Sequence, residues 1–165
     1  MYTPVAFVDP PPTDSEWAHC VEIRREVFCR GQNCPEDEEF DGLDRAARHL
    51  LLRVDGVPAA TARWRLVESD GLDWAKLERF AVLEQFRGLG LGRHLVAESV
   101  AQALAAGCER MVLHAQAHLC DFYAGFGFRA VGPAFEEAGI PHRRMIADAA
   151  SARAAADRSG PDPSP

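Results

Sequence analysis

The chain has 165 residues, 47% of them hydrophobic and 26% charged, with a formal net charge of -7. That length can bury one core and little more, and the acidic balance disfavours a nucleic-acid surface, which needs clustered lysine and arginine. No run approaches a membrane span and no basic stretch precedes an apolar one at the N-terminus, so a cytoplasmic protein is expected, with no membrane and no nucleic acid as partner.

From the N-terminus, Thr13-x-x-Glu16 reads as a capping box for a helix whose Trp17, Cys20, Val21, Arg24, Val27 and Phe28 share one face. Cys20 is then a core residue. The acidic cluster Glu36, Asp37, Glu38, Glu39, Asp41 and Asp44 follows. It reads either as a solvated loop, the ordinary fate of a charge run, or as the edge of a site for cationic substrates. Residues 49–54 and 59–66 read as strands joined through Asp55-Gly56, a strong hairpin signal. Five cysteines, Cys20, Cys29, Cys34, Cys108 and Cys120, have no paired C-x-x-C spacing. This argues for reduced thiols and against a disulfide frame or a metal site.

Residues 77–83 read as a buried strand, and Leu95, Val96, Ser99, Val100, Ala103 and Leu104 recur on one helical face that ends at Gly107, a good C-terminal cap. Between them lies Gln85-Phe86-Arg87-Gly88-Leu89-Gly90-Leu91-Gly92-Arg93. Glycines at a helix N-terminus let a phosphate approach unpaired backbone N–H groups, where the helix dipole also favours an anion, and two arginines add charge. A nucleoside triphosphate loop needs a Gly-Lys-Ser/Thr ending that is missing, and a dinucleotide fingerprint needs G-x-G-x-x-G rather than the G-x-G-x-G present here. A plain glycine-rich turn is the bland alternative.

Gln85-x-x-Gly88-x-Gly90, or Arg87-x-x-Gly90-x-Gly92 one step along, resembles the Q/R-x-x-G-x-G/A signature of the GNAT acetyltransferases, which bind the pyrophosphate of acetyl-coenzyme A (acetyl-CoA). After a strand at 110–115, residues 119–128 read as a short helix closed by glycine and followed by a strand. Phe122-Tyr123 and Gly127-Phe128 there resemble the family's FYxxxGF segment. Arg25-Glu26-Val27-Phe28, Gln32-Asn33-Cys34-Pro35, Asp41-Gly42-Leu43-Asp44 and His49-Leu50 resemble the N-terminal half of the ElaA-like bacterial branch. Glu136-Glu137-Ala138-Gly139-Ile140-Pro141-His142 is similar to that branch's E-D-G-I-P-H segment, with Ala138 replacing the acidic residue. The resemblance covers residues 15–147. It implies an α/β GNAT (acyl-CoA N-acyltransferase) fold, a mixed central sheet flanked by helices, forming one domain over 1–147. The final strand is expected at 143–147. A C-terminal tail, 148–165, is expected to carry an Ala-rich helical run at 149–156 and a disordered Pro/Ser/Gly end.

The resemblance also implies roles. Phe80, Ala81 and Val82 would offer backbone groups to the pantetheine arm and the thioester carbonyl. Arg87, Gly88, Leu89, Gly90, Leu91, Gly92 and Arg93 would hold the diphosphate. Phe122 would add a further cofactor contact, and so would Gln116, which stands where the family often carries asparagine. Tyr123 would protonate the departing sulfur. Two residues qualify as general base: Glu78, at the start of the strand beside the expected carbonyl, and His142, with a near-neutral intrinsic pKa. The expected activity is acetyl transfer to a primary amine of a small molecule or peptide, with acetyl-CoA as cosubstrate and no metal. A CoA-binding regulatory or interaction module without turnover is the second reading. A homodimer is admitted as one assembly; the sequence fixes neither it nor the acceptor.

Overall fold

The computed structural model describes residues 6–8, as backbone, and 15–159. The Thr13 capping residue and the polar end from Gly160 lie outside them. The chain divides into two compact units: Met1–Leu66 with Leu77–Ser99, and Val67–Lys76 with Val100–Pro165.

In the first unit the strands β1 (Ala6–Val8), β2 (Arg48–Val54), β3 (Val57–Ser69, as far as Leu66) and the second half of β4 (Leu72–Val82) lie in that order. The β2–β3 hairpin turns through Asp55 and Gly56, both at positive φ (49° and 82°), as the Asp-Gly signal predicts. Leu50, Leu51 and Leu52 are all fully buried, as are Ala59 and Ala60. A continuous apolar run of this kind marks strands covered on both faces. One cover is α1 (Ser15–Arg24), continued by a π-helical segment, Arg25–Arg30. Cys20, Ile23 and Val27 pack there on Leu51 and Ala81, with Trp17, Phe28 and Leu83 around them. Cys20 is thus a core residue, as expected. The buried face differs from the sequence expectation, since Ile23 is in the core and Val21 only half-buried. Cys20, Ile23, Arg24 and Val27 keep the i, i+3, i+4, i+7 spacing of one helical face, and in the π segment the Gly31 N–H reaches back five residues to the Glu26 carbonyl. A one-turn helix, α2 (Glu36–Glu39), follows.

The second unit holds β4 (its Leu72–Lys76 part), β5 (Arg110–Gln116), β7 (Ile140–Asp148) and β6 (Arg129–Glu137), in that order. β4 pairs with β5 in parallel at Ala75↔Met111 and Lys76↔Val112, whereas β5–β7 and β6–β7 are antiparallel, so the sheet is mixed. Met111, Leu113, Ala115, Met145 and Ala147 fill its core. Helix α3 (Leu91–Ala105) begins in the first unit and ends in the second. Past its end Gly107 takes φ 86° and the Cys108 N–H returns to the Ala103 carbonyl, the glycine cap read from the sequence. The short helix α4 (Cys120–Ala124) precedes β6. The Ala-rich run forms α5 (Ala149–Arg158), capped by the Asp148 carboxylate on the Ser151 N–H at 2.7 Å. Gly127 lies so close beneath it that a Cβ would stand 2.6 Å from the Ser151 carbonyl oxygen.

Candidate active site

The glycine loop lies in the first unit. After β4 a 3-10 turn, Glu84–Phe86, leads to Gly88 and Gly90 at φ 79° and 80°, and α3 starts at Leu91. A Cβ on Gly88 would meet no atom within 4 Å. Glycine is required there by its left-handed backbone rather than by crowding, and the space above the loop is open. Leu91 anchors the helix start at 2% exposure, whereas Leu89 is 45% exposed. The Arg87 side chain folds back so that its Nε donates to the Val82 carbonyl at 3.4 Å, and both Arg87 and Arg93 are exposed. An open loop, a 15-residue helix with its N-terminus at that loop and two exposed guanidinium groups fit a diphosphate.

The strand leading to this loop carries an unusual residue. Arg79 sits inside β4 at φ 60°, a left-handed conformation that a non-glycine residue adopts at a cost. Side-chain contacts hold it. Its Nε lies 3.1 Å from Glu39 Oε2 and its Nη2 3.2 Å from Asp41 Oδ2, and the guanidinium also donates to the Glu39 carbonyl. These acids are tied to two fully buried arginines. Arg24 donates to Glu39 Oε1 at 2.8 Å and to Asp44 Oδ1 at 2.7 Å; Arg63 donates to both Asp41 oxygens and to Asp44 Oδ1, each at 2.9 Å. Immediately beyond Arg79, Ala81 is buried and Phe80 and Val82 are half-buried.

This network bears on two expectations. The acidic run is not all solvated surface: buried Glu39, half-buried Asp44 and the more exposed Asp41 are counter-ions of Arg24, Arg63 and Arg79, while Asp37 and Glu38 are exposed. Burial pushes the Glu39 carboxyl up against the pull of Arg79 and Arg24. For Asp41 and Asp44 burial is outweighed by the arginine contacts, so the Asp44 carboxyl is held below the usual range and that of Asp41 well below it. Glu78, expected as a base, faces guanidinium groups: Arg63 Nη2 at 3.0 Å, Arg65 Nε in a short hydrogen bond, and Arg79 Nη1 at 3.7 Å. Its oxygens are engaged in ion pairs.

Gln116, Phe122, Tyr123 and His142 lie in the second unit. Tyr123 is 7% exposed, its ring edge-on to Phe122 at 5.1 Å and to Phe128 at 6.5 Å. Burial pushes its phenol up to about 12, so the proton stays on oxygen across the working range. Phe122 also meets Phe126, at 5.4 Å. Gln116 and His142 are opposite partners in the β5–β7 ladder and therefore share a face.

His142 is buried, and its Nδ1 lies 2.6 Å from the Ile140 carbonyl oxygen. A carbonyl only accepts, so Nδ1 carries the hydrogen and the neutral ring keeps its lone pair on Nε2. Phe135 stacks on this ring, with centroids 6.0 Å apart and planes at 27°. Glu137 and His114 stand beside it, with Glu137 Oε2 3.6 Å from His142 Nε2 and Glu137 Oε1 3.3 Å from His114 Nδ1. The sequence gives neither His114 nor Glu137 a role at this site, because the 23 residues separating them hide the contact. Among the described residues no cluster of His, Cys, Asp and Glu is arranged to hold a metal.

Comparison with known proteins agrees with this geometry. A family model described as an acetyltransferase (GNAT) domain matches residues 32–149. The uncharacterized N-acetyltransferase YjcF of Bacillus subtilis is 34% identical over 127 residues, 76% of this chain and 88% of that protein. Protein ElaA of Escherichia coli is 36% identical over 127 residues, 76% of this chain and 82% of its own length. The ElaA crystal structure aligns with a TM-score of 0.78 at 30% identity over 90% of this chain and 100% of that one. An acyl-CoA N-acyltransferase from Pseudomonas aeruginosa aligns at 0.76 and 30% identity, covering 87% and 98%. With the glycine loop, the mixed sheet and these likenesses in agreement, the chain belongs to the GNAT acetyltransferase family, in its ElaA-like branch, and is an acetyl-CoA-dependent acyltransferase.

Proposed function

We propose that the chain moves the acetyl group of acetyl-CoA directly to a primary amine on a small molecule or peptide, with His142 as the general base. The carrying observation is the locked imidazole: its Nδ1–H is spent on the Ile140 carbonyl, which leaves Nε2 as the basic atom. An imidazole is the commonest side chain for general-base proton removal. Bound acetyl-CoA supplies the thioester. The loop from Arg87 to Arg93 would hold its diphosphate through backbone N–H groups and guanidinium charge, and the backbone of Phe80, Ala81 and Val82 would take the pantetheine arm. Gln116 and Phe122 would add cofactor contacts. Tyr123, kept protonated by burial, would give its proton to the leaving sulfur. We read the protein as cytoplasmic, a setting in keeping with five cysteines in the thiol state.

The test is release of CoA thiol with a panel of polyamines, aminoglycosides, amino acids and peptides, on the parent and His142→Gln. An amine that raises thiol release at least tenfold over hydrolysis, with kcat falling roughly 100-fold or more in His142→Gln, supports the reading. Tight CoA binding without amine-stimulated release would make the protein a cofactor-binding module instead.

A further inference from the structure

The proposed base does not stand alone. Glu137 Oε2 and His142 Nε2 lie 3.6 Å apart, too far for a direct hydrogen bond, and both are acceptors when the imidazole is neutral. Two acceptors at that separation suit one donor group that reaches both. The carboxylate is held in place by the His114 Nδ1–H on its other oxygen, at 3.3 Å. Phe135 fixes both rings, stacking on His142 and meeting His114 edge-on at 5.0 Å. The His142 side chain is 9% exposed and that of Glu137 49%, so the pair is open to solvent from the Glu137 side. Hydrogen bonding from His114 pulls the Glu137 carboxyl down against some burial, so it is ionised at neutral pH.

We propose that Glu137 Oε2 and His142 Nε2 form a two-acceptor cradle for the ammonium of a primary amine, with His114 as the positioning residue for Glu137. This rests on the acetyltransferase reading above and specifies its acceptor class. An R–NH3+ group donates one N–H to the carboxylate and one to the imidazole. The second proton passes to Nε2 and its bonding pair stays on nitrogen. That pair forms the C–N bond to the thioester carbonyl carbon, the C–S bond breaks with its electrons on sulfur, and the amide nitrogen gives up its remaining extra proton to solvent. The imidazolium left at His142 faces the Glu137 carboxylate, which stabilises it. A quaternary ammonium, having no N–H, finds no place.

The test uses the full chain, with the His142 ring proton resonances assigned through His142→Gln. n-Butylammonium chloride is titrated as the probe and tetramethylammonium chloride as its control. The expected result is a saturable shift of the His142 signals with butylammonium alone, lost in Glu137→Gln and kept in Glu136→Gln, which changes the same charge one residue away. In the absence of probe, the His142 titration midpoint should move to lower pH in Glu137→Gln and less far in His114→Gln. Lys76 on β4, His114 on β5 and Arg144 on β7 share this face and stay constant in the Glu137 comparison. With an accepted amine, kcat/KM for that amine should fall about 10- to 100-fold in Glu137→Gln while the KM for acetyl-CoA holds. No shift in the parent, or an equal shift in Glu137→Gln, overturns the cradle. If the parent acetylates amines and Glu137→Gln does so with unchanged kcat/KM and pH profile, the cradle fails while the transferase stands. A normal cradle response with no amine acetylated sinks the transferase reading instead.

Discussion

Arg79 holds a left-handed φ of 60° in the middle of β4 while its guanidinium meets the buried carboxylate of Glu39 at 3.1 Å. A backbone conformation of this kind persists only where its surroundings over-determine it. Glu39 comes from the one-turn helix 40 residues earlier and is itself held by Arg24, so the left-handed residue just before the expected pantetheine contacts is held by a long-range ion network. Removing one partner of a buried pair leaves the other charge uncompensated, at a cost of about 3–5 kcal/mol. Glu39→Ala should therefore lower the urea unfolding free energy by roughly that amount, whereas exposed Asp37→Asn should stay within about 0.5 kcal/mol. Equal, small effects would show that the network contributes little to the fold.

Acid should attack the same network. The folded-state carboxyls of Asp41 and Asp44 are depressed, so they contribute stability that is present above the unfolded value near pH 3.9 and lost as pH falls through their folded values. Glu39 is raised and acts in the opposite sense: it is neutral-tolerant at low pH and costs stability once pH exceeds its unfolded value near 4.3. The expected outcome is a steep loss of stability below about pH 4, with a shallower slope in Asp41→Asn plus Asp44→Asn. Thermal unfolding from pH 2 to 7 measures it, and an unchanged slope in the double variant would assign the acid sensitivity elsewhere.

The glycine loop separates backbone strain from ligand clash. Gly88→Ala should cost about 1–2 kcal/mol of stability from its left-handed φ, since its Cβ meets nothing in the protein itself. Gly90→Val should weaken acetyl-CoA binding at least tenfold, and Arg87→Ala should weaken it less while making it less salt-sensitive. Calorimetry with the folded variants decides. A Gly90→Val protein that binds as tightly as the parent reduces the loop to a turn.

Tyr123→Phe keeps the ring packed on Phe122 and Phe128 and removes only the hydroxyl. If that hydroxyl protonates the leaving sulfur, turnover should drop roughly 100- to 10,000-fold with cofactor affinity unchanged and stability altered by about 1 kcal/mol or less. Activity and melting temperature are to be read on one preparation. Full turnover under saturating substrates, with chemistry rate-limiting, would remove Tyr123 from the mechanism.

Local signals were legible wherever the chain's own stereochemistry decides. Asp55-Gly56 dictates its turn, Gly107 its cap and Gly88-x-Gly90 its loop, because a positive φ is a property of one residue. Asp70-Gly71 carries the same signal at the β3–β4 turn and went unread, since the preceding strand was ended early at Leu66. The apolar strands and the Ala-rich C-terminal helix were equally plain from burial pattern and propensity.

Charge pairing was not legible. Glu39, Asp41 and Asp44 look like surface in a run of acids, and only the fold brings Arg24, Arg63 and Arg79 against them from separate segments. The same holds for Glu78, which the sequence offered as a base and the fold surrounds with guanidinium groups, and for Glu137, which becomes notable only when β5 and β7 bring His114 and His142 beside it. Sequence by itself determined the residue types and the conformations each can adopt, hence the family, the strands and the glycine loop. Tertiary structure alone decided which ionisable groups meet, because electrostatic interaction depends on distance and burial, and neither is encoded by separation along the chain.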